Sequence, residues 1–306
     1  MKFSVKKIVP YIIVILVAFG GGLAAGKFVF QTKSLPPPDP YEQIAKEQKE
    51  IMGAVLPEEG FQTKIVLGDA IMKLVESGAI DVEKFEKIYA ARGGLSSEQK
   101  AMLTQPYVVP LKINHANAQF LVNILWPLGI TNKNSTLAES EAGKPENVNN
   151  LASTGGWTLG KNENGGFYYN KFEIIKLTPE QDALVRRAAE NIFRPCCGNS
   201  TAFPDCNHGA AILGMLQLGA VQGLSEQELY EEALKFNSYW FPDNYMKMAM
   251  VFKRFEKKPW RDVDPKVALS EQYSSGMGYR RNVEGPLSQV PGLSGGGGGG
   301  GGSCSA

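Results

Sequence analysis

The chain has 306 residues, 43% of them hydrophobic and 21% charged, with a formal net charge of +1 at neutral pH. This length and composition suffice for one large or two small globular domains with a sizeable core. The near-zero net charge argues against a general nucleic-acid-binding protein, and the 4 cysteines are too few for a disulfide-dense secreted scaffold.

Residues 1–30 are predicted to form a cytoplasmic stub and a transmembrane anchor. Three lysines precede an uncharged run at residues 8–26. A helix over that run spans roughly 29 Å, close to the thickness of the bilayer core. The basic side favours the cytoplasm, so we expect a single-pass protein of the cytoplasmic membrane whose C-terminal domain is extracytoplasmic. The alternative is a cleaved signal peptide, in which case the protein is secreted.

A stiff, Pro-rich spacer is predicted over residues 31–40, because consecutive prolines favour an extended chain. Residues 41–130 are predicted to form a helical subdomain, since apolar residues recur there at helical spacing. Ser96 followed by Gln99 matches the capping box that begins many helices.

Residues 131–177 are predicted to form a loop and then a small central β-hairpin. The composition is polar as far as Ser153, which is typical of a loop. Two segments rich in aromatic and β-branched residues follow, at 157–159 and 167–177. A turn rich in asparagine and glycine separates them, and this pattern predicts two strands joined by a hairpin.

Residues 178–275 are predicted to form a second helical subdomain, which carries most of the cysteines. Thr178 followed by a proline is a strong signal for the start of a helix. Ser225 with Glu228 matches a second capping box. Residues 209–221 are apolar almost all round, as expected for a buried helix.

Residues 276–306 are predicted to be an irregular tail that becomes disordered where it is rich in glycine. Eight consecutive glycines cannot bury apolar surface, and Cys304 follows them. The predicted fold class is therefore mainly α. It combines an N-terminal transmembrane helix, a Pro-rich spacer, a helical extracytoplasmic domain with a small central β-hairpin, and a flexible tail.

The segment 196–208 holds three of the four cysteines and one of the two histidines. Cys196, Cys197, Cys206 and His208 offer three thiolates and an imidazole, a donor set that suits zinc. Thiolates also suit copper(I) or an iron–sulfur centre. No C-x-x-C-H motif is present, so no covalent haem is predicted. We predict a transition-metal site, for zinc, copper or iron, at these four residues.

Four further residues are predicted as possible accessories to this site. Asp205 and Asn207 flank Cys206 and can orient its ligands, although both residue types are also common in loops and caps. His115 is a candidate remote ligand or base, with a structural role as the alternative. Cys304 lies on a flexible arm, which gives a terminal thiol a high effective concentration near its own domain.

The same cysteines allow two other interpretations. Outside the cytoplasm, Cys206 can pair with Cys196 or Cys197 in a structural disulfide. Alternatively, the thiols are redox-active, because the start of the apolar helix makes a thiol there more nucleophilic. A thioredoxin-like site is not predicted, since the chain has no C-x-x-C motif.

No nucleotide site is predicted. Residues 155–162 nearly match the phosphate loop G-x-x-x-x-G-K-[ST], but Asn162 replaces the hydroxyl residue. The polar residues around the motif also differ from the strand and helix that a phosphate loop requires.

These patterns predict a membrane-anchored, extracytoplasmic protein that binds a metal or metal cofactor for binding, transfer or electron chemistry. The alternatives are a non-enzymatic envelope protein with a structural disulfide and a partner-binding surface, and a thiol–disulfide oxidoreductase. The expected partners are the membrane, through the N-terminal helix, and either another protein or a second copy of the chain. Nucleic acid is not an expected partner, and no catalytic residue is assigned.

Overall fold

The computed structural model describes residues 40–290. The predicted transmembrane anchor, nearly all of the spacer and the glycine-rich end with Cys304 lie outside the described residues. Among residues 40–290, no helix combines the length and the apolar character needed to cross a membrane.

The described chain is mainly helical, as predicted, and it contains two very short strands. The helices are α1 (Pro40–Val55), α2 (Ala70–Glu76), α3 (Val82–Ala90), α4 (Ser97–Thr104), α5 (Ala118–Thr131), α6 (Ser135–Ala138), α7 (Pro179–Asn191), α8 (Asn207–Val221), α9 (Glu226–Trp240), α10 (Pro242–Phe255), α11 (Pro265–Ala268), α12 (Glu271–Ser274), α13 (Gly276–Tyr279) and α14 (Gly285–Ser288). Short 3₁₀ helices are Glu141–Gly143, Gly165–Phe167 and Trp260–Asp262, and Arg280–Glu284 is a π-helical segment.

The helix starts follow their sequence signals closely. Ser96, Thr178 and Ser225 each cap a helix, and each accepts a hydrogen bond from the backbone N–H three residues later. In all three caps the residue at that third position returns a side-chain hydrogen bond, which completes the capping box. The three predicted helix starts and the capping boxes predicted at Ser96 and Ser225 are confirmed.

The β element is confirmed in size but not in position. The strands β1 (Phe61–Gln62) and β2 (Lys112–Ile113) pair antiparallel, with Phe61 opposite Ile113. The two strands pair although most of the first helical region lies between them in the chain. Because no hairpin turn joins them, the sequence carries no local signal for this pairing.

The predicted hairpin at 157–177 is wrong, because its aromatic residues anchor turns to the core. Trp157 and Tyr168 are each 1% exposed, and their rings stack with centroids 5.6 Å apart. The Tyr168 hydroxyl donates a hydrogen bond to the carbonyl oxygen of Gly78 at 2.7 Å. Aromatic residues are common in strands because their side chains pack well when they are partly buried. Here the same residue types are buried from turns, so the aromatic pattern did not indicate a strand.

Helices α5 and α8 cross at very short range in the core. A Cβ atom on Gly129 of α5 would lie 1.8 Å from the carbonyl oxygen of Ala210 in α8. A Cβ atom on Gly214 of α8 would lie 2.4 Å from the carbonyl oxygen of Leu125 in α5. Nearly all of α8 is buried, as its apolar sequence predicts. The crossing therefore fixes the position of the start of α8, where the cysteines lie.

Residues 276–288 are helical, which corrects the prediction that the chain is irregular from residue 276. Tyr279, Val283 and Leu287 are buried and recur at every fourth position, so they share one helical face. The many glycines of the region concealed this periodicity. Core residues come from each of the segments 41–130, 131–177 and 178–275, and the subdomain boundaries between them stay predictions.

Candidate metal centre

Residues 192–206 join α7 to α8, and residues 195–206 of this connection are here called the cysteine loop. Cys206 is the N-cap of α8, and its Sγ atom accepts a hydrogen bond from the backbone N–H of Gly209 at 3.4 Å. Cys206 is buried, with 3% of its surface exposed, whereas Cys196 and Cys197 are half-buried. The loop thus presents one inner and two outer sulfur atoms.

The sulfur atoms of Cys196, Cys197 and Cys206 all lie within 4.8 Å of one another. The Sγ atoms of Cys196 and Cys206 are 3.7 Å apart. A tetrahedral site with Zn–S bonds of about 2.3 Å places neighbouring sulfurs about 3.8 Å apart. The sulfur–sulfur bond of a disulfide is about 2.05 Å long, whereas the 3.7 Å between Cys196 and Cys206 is close to the distance between two sulfur ligands of one ion.

The cysteine loop is built around Arg194, a residue that the sequence did not indicate. The Arg194 side chain is fully buried. Its Nε donates to the Sγ atom of Cys206 at 3.0 Å, and its Nη1 donates to the carbonyl oxygen of Asn199 at 3.0 Å. Its Nη2 donates to Asp205 Oδ1 at 2.6 Å. Because a buried guanidinium keeps its charge and needs partners, the loop wraps around it.

Gly209 leaves the space that the guanidinium occupies. A Cβ atom at this position would lie 2.4 Å from the Cζ atom of Arg194. The glycine in the first turn of α8 is therefore part of the site, since a larger residue would displace Arg194 from Cys206.

Asp205 lies beside the thiols, as its accessory role requires. Its Oδ1 atom pairs with Arg194 and lies 3.6 Å from the Sγ atom of Cys197. Its Oδ2 atom accepts a hydrogen bond from Asn199 Nδ2 at 2.8 Å. Asn207 is buried at the first position of α8. The accessory roles of Asp205 and Asn207 stay predictions.

Neither histidine belongs to the group of close sulfurs. His208 is 8% exposed, and its ring centroid lies 4.6 Å from that of Phe241. Its Nδ1 atom has no hydrogen-bond partner within the described residues. His115 packs edge-on against Tyr239, with ring centroids 5.0 Å apart. The predicted ligand role of His208 and the remote role of His115 stay predictions.

Two later helices contact the cysteine loop and the residues just before it. The backbone N–H of Gly276 in α13 donates to the carbonyl oxygen of Cys197 at 2.7 Å. Asn237 of α9 donates from Nδ2 to the carbonyl oxygen of Phe193 at 3.3 Å. The loop is therefore held at its start by α9 and α13 and at its end by α8, whose N-cap is Cys206.

The surroundings of Cys196 and Cys197 favour the protonated form of both thiols. Hydrogen bonds with Cys197 and Cys206, together with burial, raise the pKa of Cys196. For Cys197, the hydrogen bond with Cys196 lowers the pKa, but the hydrogen bond with Cys206 and burial raise it to about 12. A divalent ion that binds here must displace the protons of the outer thiols.

Stability should fall as the pH drops from about 7 towards 5, because burial lowers the pKa of His208. An unfolded histidine takes up a proton near pH 6.5, whereas folded His208 does so only at a lower pH. Between these values the unfolded state binds more protons, so the free energy of unfolding decreases with falling pH, by at most about 1.4 kcal/mol per pH unit. Urea unfolding of the wild type and of His208→Gln across this range measures the difference.

The slope should be smaller in His208→Gln than in the wild type. His115→Gln is the control for the loss of one histidine from the chain. Equal slopes in the wild type and His208→Gln would contradict the prediction.

Comparison of the chain with protein-family models, curated proteins and solved structures finds no match. No relative therefore lends this chain a function. The chemistry of the cysteine loop is the basis for the proposals that follow.

Proposed function

We propose that the protein binds a soft metal ion through Cys196, Cys197 and Cys206. The observation that carries this proposal is the mutual distance of the three sulfur atoms, all within 4.8 Å. Three thiols on one loop can move onto a single ion with small side-chain adjustments, since one pair already stands at 3.7 Å. Thiolate ligands favour zinc, copper(I) and iron–sulfur centres over hard ions such as Mg²⁺.

The surroundings support this chemistry. Arg194 and the Gly209 N–H donate to the Cys206 sulfur, and such outer contacts orient a metal ligand and tune its charge. Three protein ligands leave one coordination position open on a tetrahedral ion, which suits exchange or transfer of the ion. His208 is the proposed candidate for that position whenever its ring reaches the ion.

We also propose that this site faces the outside of the cytoplasmic membrane. Support comes from the basic N-terminus and the uncharged run at residues 8–26. The metal-loaded domain would then act at the membrane surface, with either a protein partner or a second copy of the chain. Fusion of a reporter enzyme to the C-terminus, active only on one side of the membrane, tests the orientation.

Full-length protein purified anaerobically in detergent should retain one soft metal ion per chain, measured by mass spectrometry of the bound metals. Cys206→Ser removes the inner ligand, so its metal affinity should fall by more than the roughly 10–100-fold that loss of a supporting residue costs. Cys304→Ser keeps the clustered sulfurs and should retain the metal. A Cys206→Ser variant with unchanged metal content would rule out this site.

A disulfide between Cys196 and Cys206 is the second candidate, favoured by their 3.7 Å separation. Such a disulfide would link the beginning of the cysteine loop covalently to the start of α8, and the function would then lie elsewhere on the surface. We expect peptide mapping without reduction to find these two cysteines unlinked in the metal-bound protein and linked after oxidation in air. A disulfide already present in anaerobically prepared protein would favour the structural role.

A further inference from the structure

We propose that the site is matched to a three-coordinate, trivalent soft ion of the arsenite class, and that Asp205 sets this preference. The inference rests on the proposed function, because it uses the same sulfurs. It goes further by naming the class of ion and the residue that selects it.

The number of ligands is the first argument. The close group contains three sulfur atoms and no other donor among the described residues. The neighbouring carboxylate of Asp205 is already engaged, because Oδ1 accepts from Arg194 and Oδ2 accepts from Asn199. Zinc prefers four ligands in a structural site. Trivalent arsenic binds three sulfurs in a pyramid, and its lone pair occupies the remaining direction.

The balance of charge is the second argument. Arg194 is fully buried and pairs with Asp205 at 2.6 Å, so their charges cancel. The three negative charges of three thiolates cancel the charge of a trivalent ion. With a divalent ion the complex keeps a net charge of minus one, and with a monovalent ion it keeps minus two. Burying an uncompensated charge is costly. The trivalent complex is the one that leaves this partly buried site neutral.

Binding of arsenous acid, As(OH)₃, requires no other reactant. Three As–O bonds break and three As–S bonds form. The proton of each thiol leaves with a hydroxide as water, so three waters are released. The oxidation states of arsenic and sulfur do not change. The number of protons bound to the protein falls by three, and all of them leave in water.

The test is a competition between arsenite and zinc on the reduced, full-length protein at fixed pH. Cys304→Ser serves as the background, so that every sulfur on the ion comes from the cysteine loop. Arsenite should displace zinc, with three thiols lost per arsenic in a thiol assay. X-ray absorption at the arsenic edge should show sulfur neighbours alone.

Asp205→Asn should move the preference towards zinc. This variant removes one negative charge, so the zinc complex becomes neutral and the arsenic complex becomes positive. We expect the ratio of arsenite to zinc affinity to fall roughly tenfold or more, as for the loss of a unit charge a few ångströms from the ion. Asp205→Glu keeps the negative charge and should keep the ratio close to that of the wild type. Asn199→Ser removes the hydrogen bond to Asp205 Oδ2 without changing any charge, and it should also leave the ratio nearly unchanged.

The outcomes separate the two proposals. If zinc binds and arsenite does not displace it, the inference fails while the proposed function stands. If neither ion binds, the inference fails, and the proposed function fails with it when the protein also retains no copper(I) or iron. If arsenite displaces zinc but Asp205→Asn leaves the ratio unchanged, the assignment of charge selection to Asp205 is wrong.

Discussion

Arg194→Met is expected to lower the free energy of unfolding by roughly 3–5 kcal/mol, the range observed when one partner of a buried ion pair is removed. The methionine fills part of the space but donates no hydrogen bond. Asp205 then loses its counter-ion, and the carbonyl oxygen of Asn199 and the sulfur of Cys206 each lose a donor, although the Gly209 N–H still donates to that sulfur. The Arg194 guanidinium joins Cys206, Asn199 and Asp205, so its loss removes the contacts that hold the cysteine loop in its wrapped conformation.

Urea unfolding of full-length protein, followed by tryptophan fluorescence, measures this change. Arg186→Met is the matched control, because Arg186 is 41% exposed and pairs with Glu139 and Glu190 on the surface. Exposed pairs contribute about 0–1 kcal/mol, so the control should be nearly neutral. Similar effects of the two substitutions would show that Arg194 does not organise the loop.

The same variant should also expose the thiols. Without Arg194, Cys206 loses a donor to its sulfur, and the loop can leave the start of α8. We expect Cys206 to react with a thiol reagent in Arg194→Met at a rate close to that of the half-buried Cys196 and Cys197. Slow reaction of Cys206 in both proteins would contradict this expectation.

Gly129→Ala is expected to destabilise the protein by about 3 kcal/mol or more, at the upper end of the usual cost of overpacking. The new Cβ would lie 1.8 Å from the backbone carbonyl oxygen of Ala210. A backbone atom cannot swing away as a long side chain can, so α5 and α8 must separate. Ala210 donates its N–H to the carbonyl oxygen of Cys206, so the displacement reaches the cysteine loop directly.

Paired unfolding and metal-binding titrations test this coupling. We expect Gly129→Ala to lose both stability and metal affinity. Gly53→Ala is the control, because Gly53 lies within α1 and a Cβ atom there meets nothing within 4 Å. It should be stabilising by about 0.5–1 kcal/mol, since alanine favours the helix. A Gly129→Ala protein with wild-type stability would show that α5 and α8 can accommodate a methyl group at their crossing.

Local signals predicted much of the helical architecture. The capping boxes of Ser96, Thr178 and Ser225 depend on residues three positions apart, so they are readable in the chain itself. The burial of α8 followed from its apolar sequence, because no face of that helix suits water. The sequence shows that Cys196, Cys197 and Cys206 lie in one short segment, but eight residues separate Cys197 from Cys206, and the contacts of Arg194 bring the segment together.

The hairpin and the late helices escaped prediction for a different reason. Aromatic residues near Trp157 pack inward in turns, and their sequence pattern is the same as that of a strand. The glycines beyond residue 275 suggested an irregular chain, although Tyr279, Val283 and Leu287 bury a helical face. In both regions the local structure depends on which side chains the rest of the fold buries, and a local sequence pattern does not record this.

The sequence by itself determined the mainly helical class, the helix starts and the set of thiols, because each depends on neighbours within a few residues. The tertiary structure decided the role of Arg194. In the sequence it resembles any surface arginine, and its burial depends on Gly209 and Asp205 across the loop. It also decided the α5–α8 crossing, where two glycines distant in the chain allow backbones to touch. Contacts between distant residues set the charge and the geometry of the site, and no local pattern records them.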